Sequence, residues 1–339
     1  MWPEINSETT QGNLALEKCL RAIVSSFKPS FIPGNIYVLM NATDAAWTEY
    51  YNNHNRIYED GTNAIQTDLA TLYAAMTSNR NDVVLLNAHG GHALTEMLSV
   101  AKNRVHFYGM GALGRLYGQR SRITLGVSTE TADIAAIKNT GVGNSFKNLK
   151  VDSSGTATAE RYAVAEAGEY ALYEGVEMYK STQLDDTLAA ELLLNGDSAQ
   201  FKRCTLGSNV NAISTAIIRP CVQLKREVVS GKVCRDVYFE DCLFWRKAGG
   251  TANSYVDAPG TTDVERMLMF KNCEFFNTEL AAAIPAEAVT CSGGKQTEGL
   301  IALKNCSAWN VTLLKEASVG IWVDGAVPTH NTTGVAVEA

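Results

Sequence analysis

Apolar and polar positions along the C-terminal two thirds of the chain recur as a six-residue unit. It reads FKNLKV from Phe146, YEGVEM from Tyr173, FKRCTL from Phe201, FEDCLF from Phe239, FKNCEF from Phe270 and LKNCSA from Leu303. Each copy has an apolar residue first, a charged residue second, and an apolar residue or cysteine at the fourth and sixth positions. The copies start 27, 28, 38, 31 and 33 residues apart, the spacing of a stacked array in which each repeat is one supersecondary unit. FYGMGA from Phe107 is a weaker seventh copy.

Apolar residues at positions one, four and six fit neither a helical period nor an unbroken period of two. A bend at the third residue reconciles them: the first side chain ends one strand pointing inward, and the fourth and sixth begin the next. The third positions are Asn148, Gly175, Arg203, Asp241, Asn272 and Asn305. All but Arg203 are types that tolerate the left-handed backbone conformation used in tight turns. The second positions, Lys147, Glu174, Lys202, Glu240, Lys271 and Lys304, are charged and predicted to point outward. Strand, bend and strand at this spacing describe a mainly β protein, the coils of a parallel β-helix; the alternative is a set of β-hairpins alike in composition. Phe146, Tyr173, Phe201, Phe239, Phe270 and Leu303, with Cys204, Cys242, Cys273 and Cys306, are the predicted core column.

Upstream the pattern changes. Residues 14 to 27 read as a helix with Leu16, Leu20, Ile23 and Phe27 on one face, stopped by Pro29. It either packs on the nearest coil or serves as a docking arm for another protein. GNIYVLM from Gly34 reads as a strand, followed by a polar aromatic loop. A second helix from about Asn63 to Met76 places Ile65, Leu69, Leu72 and Met76 on one stripe, with Asn63 and Gln66 at capping-box spacing. Such a helix covers the open first coil, whose unpaired backbone would otherwise invite other chains. DVVLLNA from Asp82 then enters the winding. The chain divides into an arm (1–33), a strand, loop and capping helix (34–104), coils (105–325) and a tail (326–339).

Composition adds little that contradicts this. With 339 residues, 46% hydrophobic and 19% charged, the chain can bury a large core. Its net charge of −7 comes without a block of like charges, which predicts neither a nucleic-acid surface nor an acidic tail. No apolar run is long enough for a membrane span, and the first residues lack a secretion-signal pattern. Four of the eight cysteines sit at the fourth position of the repeat, where they are expected to act as small, reduced core hydrophobes.

Candidate chemistry is sparse. His89 and His92 flank a Gly-Gly pair but lack a third ligand nearby, so no metal is assigned. Asp185 and Asp186 are adjacent, and adjacent acids on a strand face opposite ways, unlike the paired acids of glycoside hydrolysis. Glu166, Glu169, Glu174 and Glu177 read as an ordinary solvated face. There is no nucleophile elbow, P-loop or dinucleotide fingerprint. β-Helical polysaccharide lyases and hydrolases share the architecture, but the clustered Asp ligands of the one and the NTD, DD, GHG and RIK motifs of the other have no match. No catalytic residue, cofactor or metal is assigned.

From Gly34 to about Val151 the order of signals resembles a group of tailed-phage virion proteins with a right-handed parallel β-helix. The matching stretches are GNIYVL from Gly34, TNAIQTDLATLYAAM from Thr62, RNDVVLLNAHGGH from Arg80 and VHFYGMG from Val105, then the FKN-type repeats. In that group the loop reads more like PGHTE, so only His89 corresponds. The resemblance implies a pectate-lyase-like solenoid in a virion structural protein, usually trimeric, assembled in the host cytoplasm. A capsid-surface decoration protein bound to the major capsid or another virion protein through its N-terminal arm is expected first. The alternative is a tailspike or tail-fibre adhesin that binds host glycan. Neither nucleic acid nor membrane is an expected partner.

Overall fold

The computed structural model describes residues 18–41, 57–58, 61–88, 91–111, 121–126, 134–155, 160–181, 189–213, 219–225, 232–248, 250, 254–279, 284–316 and 320–324. Three all-parallel sheets run the length of the molecule, a long one of 11 strands and two of 8. Each coil gives one strand to the long sheet, then one to the second and one to the third. One full turn is Leu172–Glu174, Glu177–Lys180 and Ala190–Leu194. Its strands pair with those of the next coil, Leu172 with Gln200, Glu177 with Thr205 and Leu192 with Val222. Chain neighbours thus lie in different sheets and sheet neighbours lie one coil apart, which defines a parallel β-helix and excludes hairpins.

The bend is where the repeat places it. Asn148, Gly175, Arg203, Asp241, Asn272 and Asn305 all have φ between 50° and 63°. Arg203 adopts the same conformation although its side chain does not favour it, because coils above and below dictate the turn. The coil Asp82–Leu86, Gly91–Leu94 and Leu98–Val100 is already complete. Winding therefore begins at Asp82, in the DVVLLNA strand expected to enter it, so the coils start ahead of the 105–325 span assigned to them; the first turn lacks the six-residue motif.

Two helices serve the N-terminal end. The helix spanning 18–26, α1, lies on the outer face of the long sheet. Leu20 and Val24 are buried there with Ile36, Val38, Val83, Leu85 and Tyr108, and Ile23, Phe27 and Phe31 pack alongside. The apolar face read as a docking surface is thus occupied by the chain's own sheet; Leu16 lies outside the described residues. Helix Leu69–Ala75, α2, puts Leu69 and Leu72, with Met76 just beyond it, into the interior cluster at the first coil. It is shorter than the sequence suggests. Ile65–Gln66 instead form an edge strand on Val38 and Leu39, and Asp68, not Asn63, caps the helix by accepting from the Thr71 N–H at 2.6 Å. A β-branched residue beside an open sheet edge gains more by pairing than by joining a short helix. Among the described residues no helix is long and apolar enough to cross a membrane.

Candidate functional site

The interior is a single file. Phe107, Phe146, Tyr173, Phe201, Phe239 and Phe270 stack with centroids 4.4 to 5.3 Å apart and planes within 12° of parallel. Leu303 follows in register with Phe270 and is fully buried. Beside this file run Cys204, Cys242, Cys273 and Cys306, all buried free thiols. Each thiol approaches the carbonyl oxygen of the ring residue one coil earlier: Tyr173, Phe201, Phe239 and Phe270, at 3.4 to 3.6 Å. A cysteine therefore caps a carbonyl where Leu149 and Val176, at the same position, cannot. Burial holds the Cys204, Cys242 and Cys273 thiols well above their ordinary pKa, which makes them poor nucleophiles.

Two residues that break the apolar file belong together. Tyr173 is the tyrosine of the ring stack, and its hydroxyl donates to Glu166 Oε2 at 2.6 Å. Asn139 Nδ2 donates to the same oxygen at 2.8 Å, and the Gly168 N–H to Oε1 at 2.6 Å. Asn144 extends the chain to Asn139. Glu166 is fully buried, contrary to the solvated face read from the sequence. Burial outweighs the three donors and pushes its carboxyl up to about 7. Of its sequence companions, Glu169 makes backbone bridges to Val142 and Asp197. Glu174 pairs with Lys147 at 2.9 Å and with Arg203, and Glu177 pairs with Lys150 at 2.7 Å.

A cleft of about 310 Å³ opens where α1 ends against the turns. Ser26, Phe27 and Lys28 form one wall, Asn148 and Gly175 the floor, and Lys147, Glu174 and Arg203 the remainder. Lys147 was expected to point into solvent. It is instead 6% exposed, donating to the Phe27 carbonyl at 2.9 Å and lying over the Tyr108 ring. Asn148 Oδ1 is buried and accepts no hydrogen bond from the described residues, whereas its Nδ2 donates to Gly109 and Gly111. The cleft thus offers three cations, one carboxylate, one spare acceptor and the edge of a ring.

The other sequence candidates do not converge. His92 is buried with Nε2 3.4 Å from the Asn87 carbonyl, and desolvation lowers its pKa; His89, Asp185 and Asp186 lie outside the described residues. Among the described residues no group of three His, Cys, Asp or Glu side chains is placed to hold a metal. One feature escaped the sequence reading. Continuing the inward period of two past the sixth position of the repeat reaches Ser153, Lys180, Ser208, Arg246, Asn277 and Asn310, polar in all six coils that carry the motif, whereas the two coils before them have Leu94 and Leu125 there. Arg246 and Lys180 are fully buried, and Arg246 meets Glu191 and Arg219 inside the helix.

No protein-family model matches the chain, and no curated protein matches its sequence. Solved structures do. A rhamnogalacturonan lyase aligns at TM-score 0.56 with 13% identity, covering 83% of this chain and 70% of its own. The pectin methylesterase of Aspergillus niger aligns at 0.51 with 12% identity, covering 84% and 88%. Pectate lyase Pel9A aligns at 0.51 with 10% identity, covering 91% and 82%. The protein is a right-handed parallel β-helix of the pectate-lyase type. These neighbours are enzymes, but at such identities the likeness is one of fold, and no catalytic site carries over.

Proposed function

We propose that the protein is a structural subunit of a bacteriophage particle, a rigid β-helical rod displayed on the capsid surface as a homo-oligomer, in the trimeric form usual for the group it resembles. The observation that supports this reading most directly is the stack of eight three-strand coils, seven of which add one residue each to the interior file. Stacked coils bonded on both sides resist bending, and at about 4.8 Å per coil they make a rod roughly 38 Å long. The resemblance of residues 34–151 to phage virion proteins adds the setting. Because the apolar side of α1 packs on its own sheet, docking would use the opposite side, where Lys18, Arg21 and Ser25 are exposed. Purified protein mixed with undecorated heads of the encoding phage is expected to bind in fixed stoichiometry. A Lys18→Glu, Arg21→Glu double variant is expected to fold unchanged by circular dichroism and to lose that binding. Heads that bind no wild-type protein would refute the capsid role.

A second reading, an adhesin that binds host surface glycan, draws on the cleft beside α1. Its mixture of cations, a carboxylate, a spare acceptor and a ring edge suits a polar, partly anionic sugar unit. Calorimetry with purified host polysaccharide tests it. Saturable heat that disappears in Arg203→Glu supports the adhesin, and absence of heat removes it.

A further inference from the structure

We propose that a small inorganic anion is held inside the β-helix at the corner between the second and third sheets, with the Arg219 guanidinium as its principal ligand. The proposal stands apart from the capsid and glycan readings. It rests on a charge imbalance and a surplus of donors in one dry place.

Arg219 and Arg246 are 0% and 1% exposed. Both reach the same carboxylate, Arg219 Nη2 at 3.2 Å from Glu191 Oε1 and Arg246 Nη2 at 2.9 Å from Glu191 Oε2. Glu191 is itself buried. Among the described residues, two permanent positive charges therefore share one carboxylate. A guanidinium does not shed its proton in a protein, so the excess cannot be removed by titration at Arg. Cys221, 3.0 Å from Arg246 Nε, does not supply the missing charge. Burial pushes that thiol up to about 12, so it stays neutral.

The hydrogen-bond account points the same way. Each guanidinium nitrogen of Arg246 has a partner: Nε on Cys221, Nη1 on the Arg219 carbonyl and Nη2 on Glu191. Arg219 is not. Its Nη2 donates to the Lys180 carbonyl at 3.0 Å and to Glu191, but among the described residues Nε and Nη1 have no partner. Two hydroxyls of neighbouring coils, Ser153 Oγ and Tyr255 Oη, are likewise buried and without a partner among the described residues. Ser153 is in register with Lys180, whose carbonyl Arg219 binds. Val222 is in register with Val256, so Tyr255 lies one coil beyond Cys221 on the same inward face. Every unsatisfied atom named here can donate. Buried donors are rarely left unpaired, and an unpaired buried charge is costlier still. One anion accepts from several donors and cancels the excess charge at once, which no neutral ligand or cation does. The chemistry fits a halide or a small oxyanion, and the test separates them.

The intact protein, exchanged into sodium gluconate, is titrated at constant ionic strength with sodium bromide in one arm and sodium sulfate in the other. A saturable rise in melting temperature of a few degrees is expected in one arm. Crystals grown with bromide or selenate are expected to show an anomalous peak within hydrogen-bonding distance of Arg219 Nε and Nη1. In Arg219→Gln the rise is expected to vanish, and in Tyr255→Phe to need more anion. Should Arg219→Gln fail to fold, the wild-type titration, the anomalous map and Tyr255→Phe still decide. Melting that follows ionic strength alone, together with no anomalous peak at Arg219 in either crystal, overturns the proposal.

Discussion

Glu166 shows what a single substitution in a solenoid entails. A carboxylate inside an apolar column needs donors, and the chain provides them by placing Tyr173 where other coils carry phenylalanine, with Asn139 from the coil before. Its folded pKa of about 7 lies above the ordinary 4.5. The stability it contributes is therefore complete below about pH 4.5 and is lost as pH rises through 7. The loss is roughly 3 kcal/mol. Urea unfolding at pH 5 and pH 8 is expected to show this fall in the wild type and to lack it in Glu166→Gln. Tyr173→Phe, which removes a donor to the charged form, is expected to steepen it. Gly175 makes a different point: its φ is +63° and an added Cβ would meet nothing closer than 4.0 Å. Gly175→Ala is thus a test of backbone strain alone, expected to cost about 1 kcal/mol by urea unfolding.

At the scale of elements, the six-residue repeat stated which side chains face inward, and strand register explains why they superimpose. Phe270 lies between Phe239 and Leu303 in paired strands, so truncating it opens a void that the rigid coils cannot fill. Phe270→Ala is expected to cost roughly 3–5 kcal/mol, and Lys271→Ala on the adjacent outward position no more than about 0.5 kcal/mol. Equal effects in chemical denaturation would contradict the inward file. Lys147 occupies the same repeat position as Lys271 but lies beneath the end of α1. Lys147→Ala is expected to cost more than Lys271→Ala in the same assay. Position in the repeat predicts direction, whereas cover by another element sets the energy. A second family of left-handed residues begins with Arg104, Gly143, Tyr170 and Ser198 in the turns entering the long sheet and continues with Asp236 and Arg266, which lie inside its strands at a register shift. It was illegible in sequence because its residue types share no preference. Coil stacking imposes that conformation, as it does at Arg203.

For the whole molecule, winding creates ends and an outer face. The N-terminal end is closed by α2, and the first strands of the long sheet are covered by α1. The remote half of that sheet leaves Tyr238 and Trp322 at 38% and 47% exposure. The head-binding experiment with Lys18→Glu, Arg21→Glu belongs to this scale, since it asks whether the free side of α1 reaches a second molecule. By itself the sequence determined the solenoid, its bends, its file of rings and thiols, and the existence of both helices. Those features are local or repeat at fixed spacing, so each copy reports the same physical demand. Folding in three dimensions is what brings α1 back onto its own sheet, buries Lys147 and Glu166, and makes Arg219, Arg246 and Glu191 meet. Such contacts join residues from different coils and elements, and no periodic signal records which of them will share an environment without water.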